Sequence, residues 1–180
     1  FIYSAILCVL AFLVLINFNM FTIILALGSM PLAFTYPLMK RFTYWPQLFL
    51  GVTFNYGLVL GWTSIYSEID IAPIVFYIGA IFWTLGYDTI YGFQDIKDDE
   101  IIGLKSTSIK FKKNPINFLI LSYGILFISM VTVGILMNLN IFYFMFLILI
   151  AAHLFYFQIR KLEFNNPQSC LTNFKSNNIL

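Results

Sequence analysis

Asp88, Asp95 and Asp99 fall in one short stretch, Tyr87-Asp88-Thr89-Ile90-Tyr91-Gly92-Phe93-Gln94-Asp95-Ile96-Lys97-Asp98-Asp99. If a helix ran through it, Asp95 and Asp99 would be i, i+4 neighbours on one face. Asp88, seven residues earlier, would stand about 10 Å along the axis on nearly the same face. Like charges so close repel and disfavour joint ionisation. A hard cation relieves that repulsion, and Mg²⁺ typically joins one or two carboxylates to phosphate oxygens while keeping several waters. The pattern therefore points to a Mg²⁺–diphosphate site, with Asp88, Asp95 and Asp99 as candidate catalytic acids and Asp95 and Asp99 as the metal ligands. The competing reading is a solvated loop end whose acids pair with the lysines that follow. Asp88 resists that reading, because a carboxylate within an apolar run is costly and usually faces a cavity.

The basic counterpart is Thr35-Tyr36-Pro37-Leu38-Met39-Lys40-Arg41, in which Tyr36 and Lys40 are also at i, i+4. Lys40 can meet a phosphate as a point charge, and Arg41 can grip a carboxylate or phosphate with two parallel hydrogen bonds. The plainer explanation of Lys-Arg after an apolar run is membrane orientation. Gly103-Leu104-Lys105-Ser106-Thr107 adds a turn, a cation and two hydroxyls that suit phosphate oxygens. It lacks P-loop spacing, and a surface loop is an equal alternative. Asn55 needs a partner in hydrocarbon, and Gly57-x-x-x-Gly61 permits close helix contact. His153 and Gln158 read as bundle packing rather than a metal site.

These residues must be positioned by membrane helices. The chain is 61% hydrophobic and only 10% charged over 180 residues, far below the charge of a soluble domain. Apolar runs near 1–16, 20–39, 46–66, 71–91, 116–137 and 141–160 approach or reach the roughly 20 residues that span hydrocarbon. They are too long and apolar for barrel strands. The expected fold is all-α, a polytopic transmembrane helical bundle of about six spans. If each run crosses once, all ten Lys and Arg residues fall on one side. That side is the cytoplasm or its equivalent, and Phe1 would lie there too. The 92–115 segment holds nine charges, and such a long loop beside tight turns at 17–19 and 138–140 is a functional candidate. Pro31 and Pro37 should bend the second run. A net charge of +2 with dispersed basic residues excludes nucleic acid as a partner. The absence of a charged segment before the first apolar run argues against a signal peptide.

Three stretches resemble the UbiA-type membrane prenyltransferases, most closely their 4-hydroxybenzoate polyprenyltransferase branch. They are Thr35 through Thr43 with Pro46-Gln47 and Gly51; Gly86-Tyr87-Asp88-Thr89-Ile90-Tyr91 through Gln94-Asp95, Asp98-Asp99, Gly103 and Lys105-Ser106-Thr107; and Asn166-Pro167, Cys170-Leu171 and Phe174-Lys175-Ser176-Asn177. The resemblance implies a bundle around a cavity open to lipid, with about nine spans in the family. It implies an Mg²⁺-dependent enzyme of ubiquinone biosynthesis that moves a polyprenyl group from polyprenyl diphosphate to the ring of 4-hydroxybenzoate. Asp95 and Asp99 match the family's second Asp-rich motif, and Asp88 matches an acid just upstream. Tyr36 and Lys40 match its Tyr-x-x-x-Lys element; Arg41 and Lys105 complete the implied substrate contacts.

The family's first motif, Asn-Asp-x-x-Asp-x-x-x-Asp, has no counterpart; the only acids before Asp88 are Glu68 and Asp70, in an opposite loop. Residues 1–180 therefore read as one prenyltransferase domain truncated at both ends. A haem or homogentisate branch and an inactive remnant are the alternatives. A transporter is disfavoured, because the ionisable residues gather at one interface rather than at the midplane. The expected location is a bacterial inner membrane, with the mitochondrial inner membrane as the alternative and the site facing cytoplasm or matrix.

Overall fold

Short polar side chains start several of the helices. The computed structural model describes residues 2–179, and no strand occurs among them. Helix α1 (Ile2–Leu15) is followed by α2 (Met20–Thr35), whose first turn is capped by the Asn19 side chain accepting from the Thr22 N–H. Pro31 lies within α2, and Pro37 falls in a 3-10 turn (Tyr36–Leu38) leading into α3 (Met39–Phe42). Next come α4 (Pro46–Phe54) and α5 (Gly57–Tyr66). Asp70 caps α6 (Ile71–Gly92). Two short helices follow, α7 (Ile96–Ile102) and α8 (Thr107–Lys110), then α9 (Pro115–Leu136). Asn140 caps α10 (Ile141–Ala151), which continues as a π-helix over Ala152–Arg160. Asn166 caps α11 (Pro167–Lys175), which ends in a 3-10 turn (Ser176–Ile179). Each cap oxygen satisfies amides that a helix start leaves without partners.

Five segments are long and apolar enough to cross a membrane: Met20–Phe42, Pro46–Tyr66, Ile71–Gly92, Pro115–Leu136 and Ile141–Arg160. The fourteen residues of α1 reach about 21 Å, short of the roughly 30 Å hydrocarbon core. So five full spans stand where hydropathy predicts about six, and the placement of Phe1 lies outside the described residues.

The bundle's centre is α6 against α9 on one side and α4 on the other. Close approach there is a matter of missing side chains. A methyl added at Gly86 would strike the Tyr123 ring, one at Gly79 the Ser129 side chain, and one at Gly51 would lie 2.8 Å from the Ile81 carbonyl oxygen. The expected contact at Gly57 and Gly61 is not made, since neither has anything within 4 Å of such a methyl. Asn55 does join helices: its Nδ2 donates to Thr84 Oγ1 at 2.7 Å and to the Ala80 carbonyl at 3.2 Å. Ile90, Leu119, Tyr123, Leu154 and Cys170 make a continuous core across α6, α9, the π-helix and α11.

Candidate functional site

The α6 helix does not run on through Asp95, so the single stripe of three carboxylates expected from the sequence is not formed. The cause is local. In a continued α-helix the Thr89 carbonyl would accept from the Phe93 N–H; here it accepts from the Ser108 hydroxyl at 2.8 Å. The Phe93 N–H turns instead to the Ile90 carbonyl at 3.2 Å. Gly92 lets Ser108 in, because a methyl there would collide with its hydroxyl. The chain breaks over 93–95 and restarts as α7 with Asp95 at its N-cap position. Asp95 and Asp99 nonetheless remain one turn apart, the Asp99 N–H donating to the Asp95 carbonyl at 2.9 Å. Asp95 is exposed, Asp99 is buried and Asp88 is half-buried. Gly103 closes α7 at φ +78°, the left-handed conformation that glycine adopts without penalty.

The basic segment lies at the same end of the bundle. The Lys105 N–H donates to the Lys40 carbonyl at 2.8 Å, and Lys105 Nζ donates to the Phe42 carbonyl at 3.3 Å. Lys40 and Arg41 are exposed and Tyr36 is half-buried. Lys40 is the positive charge that acts on Asp88, and the Asp88 carboxylate in turn acts on the Tyr36 hydroxyl. Lys40 and Asp88 do not close to an ion pair within 4 Å; among the described residues the ion pair formed is Lys112 with Glu100. Of these acids Glu100 pairs with a lysine, whereas Asp95, which is exposed, and Asp99, which is buried, do not.

Two expectations are corrected. The hydroxyls beside Lys105 are not free for phosphate. Ser106, 1% exposed, accepts from the Ile109 N–H and caps α8; Thr107, fully buried, shares a 2.6 Å hydrogen bond with Thr89. Of that loop only Lys105 remains for a ligand. The 92–115 segment is also not a bare loop, since α7 and α8 occupy half of it.

Sequence reasoning gave no role to Gln47, Tyr87 or Phe174. Gln47, 3% exposed, accepts from the Thr107 N–H at 3.0 Å and holds the loop on α4. Its signal was its place in the first resembling stretch, directly after Pro46. Tyr87 shares the electrostatic neighbourhood of Asp88 and Tyr36 and packs between Trp83, at 5.3 Å, and Phe174, at 5.7 Å. Its signals were its place beside Asp88 in the second resembling stretch and the recurrence of Trp83, Tyr87 and Tyr91 four apart.

Asp95 and Asp99 fit a cation that is shared with a ligand. They offer hard oxygen donors one turn apart without lysine partners, while no group of three His, Cys, Asp or Glu residues able to enclose a metal occurs among the described residues. The cavities lie elsewhere. One of about 270 Å³ is set between the helices against Asn55, Phe76, Trp83, Leu126 and Met130. Another, about 380 Å³, is on the outer side of α11 beside Lys161 and Asn173.

The chain is 40% identical over 168 residues to the mitochondrial 4-hydroxybenzoate polyprenyltransferase of Dictyostelium discoideum, covering 92% of this chain and 36% of that protein. It is 42% identical over 165 residues to the Bos taurus protein of the same name, covering 91% of this chain and 44% of the relative. Against the Homo sapiens protein it is 41% identical over 168 residues, covering 93% and 45%. The chain therefore spans less than half the length of these curated relatives. No solved structure matches it. The model of the UbiA prenyltransferase family matches residues 1–179, and the chain belongs to that family.

Proposed function

We propose that the protein containing this chain transfers a polyprenyl group from polyprenyl diphosphate to the aromatic ring of 4-hydroxybenzoate, a step of ubiquinone synthesis. The observation that carries this reading is the 2.8 Å bond from Lys105 N–H to the Lys40 carbonyl. It holds the cation-bearing end of α3 against the turn that follows α7, the helix that carries Asp99, and so supports a site shared by the two charged segments. The names of the relatives, each of which acts on 4-hydroxybenzoate, support the choice of acceptor. They are also mitochondrial, which favours the mitochondrial inner membrane over the bacterial one.

In this mechanism Asp95 and Asp99 would hold Mg²⁺ together with the donor's diphosphate. When bound, the ion offsets the negative charge that gathers on the departing diphosphate. Lys40 and Lys105 add positive charge on the other side of the same group. The allylic C–O bond breaks as the ring carbon ortho to the acceptor hydroxyl forms the new C–C bond, and that carbon then sheds its proton, for which Asp88 is the candidate acceptor. Arg41 pairs with the acceptor carboxylate. The apolar helix faces bind the tail and keep water from the allylic cation.

The test is prenyl transfer by membranes carrying the full gene product, supplied with polyprenyl diphosphate and 4-hydroxybenzoate, homogentisate or no acceptor. Product with 4-hydroxybenzoate alone, abolished by EDTA and by Asp95→Asn, is the expected result. Product only with homogentisate moves the assignment to another branch. Product that survives EDTA and Asp95→Asn removes Asp95 and Asp99 as metal ligands.

A further inference from the structure

The third resembling stretch, Phe174 to Asn177, has no part in the mechanism above, yet it grips the helix that carries Asp88. Phe174 packs on both tyrosines that bracket Asp88, at 5.7 Å from Tyr87 and 4.7 Å from Tyr91. Three residues later, Asn177 Oδ1 accepts from Trp83 Nε1 at 3.2 Å. Trp83 lies nine residues before the end of α6, about 14 Å into the bundle.

The hydrogen bonds behind Asn177 run in one direction only. An indole N–H can only donate, so Asn177 must turn its oxygen to Trp83. Its amide nitrogen then donates to the Phe174 carbonyl at 2.9 Å. Gln158 must therefore offer its nitrogen to the same Asn177 oxygen, at 2.7 Å. That leaves the Gln158 oxygen as acceptor for the Tyr123 hydroxyl at 2.5 Å. The second Gln158 N–H faces His153 Nε2 at 3.2 Å, which must accept. Gln158 is fully buried, and burying an amide at this depth is costly unless every group is paired. Here they are paired. The π-helix makes it possible: its wider turn carries Gln158, five residues after His153, back over the same face.

We propose that Phe174, Asn177 and Gln158 form a positioning clamp that fixes the rotation of α6 and so sets where Asp88 points relative to Tyr36 and Lys40. Phe174 packs against Tyr87 and Tyr91, one turn apart on the face of α6 next to the one that carries Asp88. The Trp83–Asn177–Gln158–Tyr123 chain fixes α6 to α9 and to the π-helix below it. None of the three touches substrate. They act through Tyr87 and Trp83. The catalytic part of the claim rests on the prenyl-transfer reading; the geometric part does not.

Two measurements on the full gene product in its own membranes test the clamp. In the first, Cys8 and Cys170 are replaced by Ser, cysteines are placed at Tyr36 and Asp88, and their joining by bifunctional thiol reagents of graded length, the shortest that links the parent being used, is timed with and without Phe174→Ala or Gln158→Leu. The clamp predicts at least five-fold slower cross-linking with either substitution, and a parental rate when position 174 carries Tyr in place of Ala. An unchanged rate overturns it, whatever reaction the protein catalyses. In the second, Phe174→Ala is assayed per folded molecule in a background with native Asp88. The expected result is a ten-fold or greater fall in kcat, with KM for both substrates within three-fold and recovery in Phe174→Tyr. A fall in activity that tracks only the amount of folded protein means a merely structural role and also overturns the proposal. If the unsubstituted protein transfers no prenyl group, the functional reading fails while the cross-linking result still decides the clamp.

Discussion

The acid-bearing and cation-bearing ends of the site are built differently. In an 18-residue stretch of α6, 44% of the residues are buried; in the Met20–Phe42 span the figure is 6%. α6 is locked by glycine contacts to α4 and α9 that admit no added methyl. The span carrying Tyr36, Lys40 and Arg41 is held by Asn19 donating to the Thr63 carbonyl at 2.7 Å, Thr22 donating to Thr63 Oγ1 at 3.0 Å, and the main-chain bond from Lys105. The difference suits the roles proposed above. Asp88, the acid that α6 itself carries, must face one carbon of the acceptor if it is to take its proton. A lysine acts as a point charge on a flexible stem and tolerates displacement. Preorganisation is concentrated where direction matters.

The strongest challenge to this contrast is at Asp95 and Asp99. Asp95→Asn or Asp99→Asn should lower prenyl transfer roughly 100-fold, the scale of losing one electrostatic stabiliser of a transition state. For the exposed Asp95, thermal stability in detergent should stay within about 0.5 kcal/mol of the parent. If unfolding accompanies the loss, the carboxylates are structural and the comparison fails. Next, Gly86→Ala should destabilise by about 1–3 kcal/mol through overpacking against Tyr123. Gly61→Ala, in open space, should cost under about 0.5 kcal/mol; denaturant titration of both proteins measures the gap. A smaller effect is expected at Arg41. Arg41→Ala should raise the acceptor KM about ten-fold, a loss of about 1.4 kcal/mol, while the donor KM stays within two-fold in steady-state kinetics. Smaller again than the Arg41 effect, Thr22→Val should cost about 1 kcal/mol, the net worth of one hydrogen bond, and melting curves would resolve it from Asn55→Leu. That second change leaves Thr84 and two carbonyls to re-pair within the core, and should cost more.

Much of the helix order was readable because spans are written in long apolar runs, and the basic residues that follow them gave one side to Lys40 and Lys105. Asp95 and Asp99 were readable as an i, i+4 pair, which survives because α7 restores the helical spacing that 93–95 interrupts. The interruption was not readable. It depends on Ser108 capturing the Thr89 carbonyl, a contact between residues with no periodic signature. The same holds for Ser106 and Thr107, whose hydroxyls suit phosphate equally well on paper and turn out to cap and pack. Gly57 and Gly61 show the reverse. A spacing that permits close approach does not say which glycines a neighbour uses, and here the neighbours chose Gly51, Gly79 and Gly86. The π-helix is invisible in the sequence, because its register is set by where Gln158 finds Tyr123 and Asn177.

The bond from Lys105 to Lys40 joins peptide groups, not side chains. It is therefore indifferent to which residues evolution or an experimenter installs at those positions, with proline at 105 as the exception, since it removes the donor. It also couples the breathing of two distant stretches of chain. A ligand that quiets the Gly103–Thr107 turn quiets the end of α3 as well. The Lys105 amide, which need never meet the ligand, becomes a reporter whose deuterium uptake should slow when inorganic diphosphate is added.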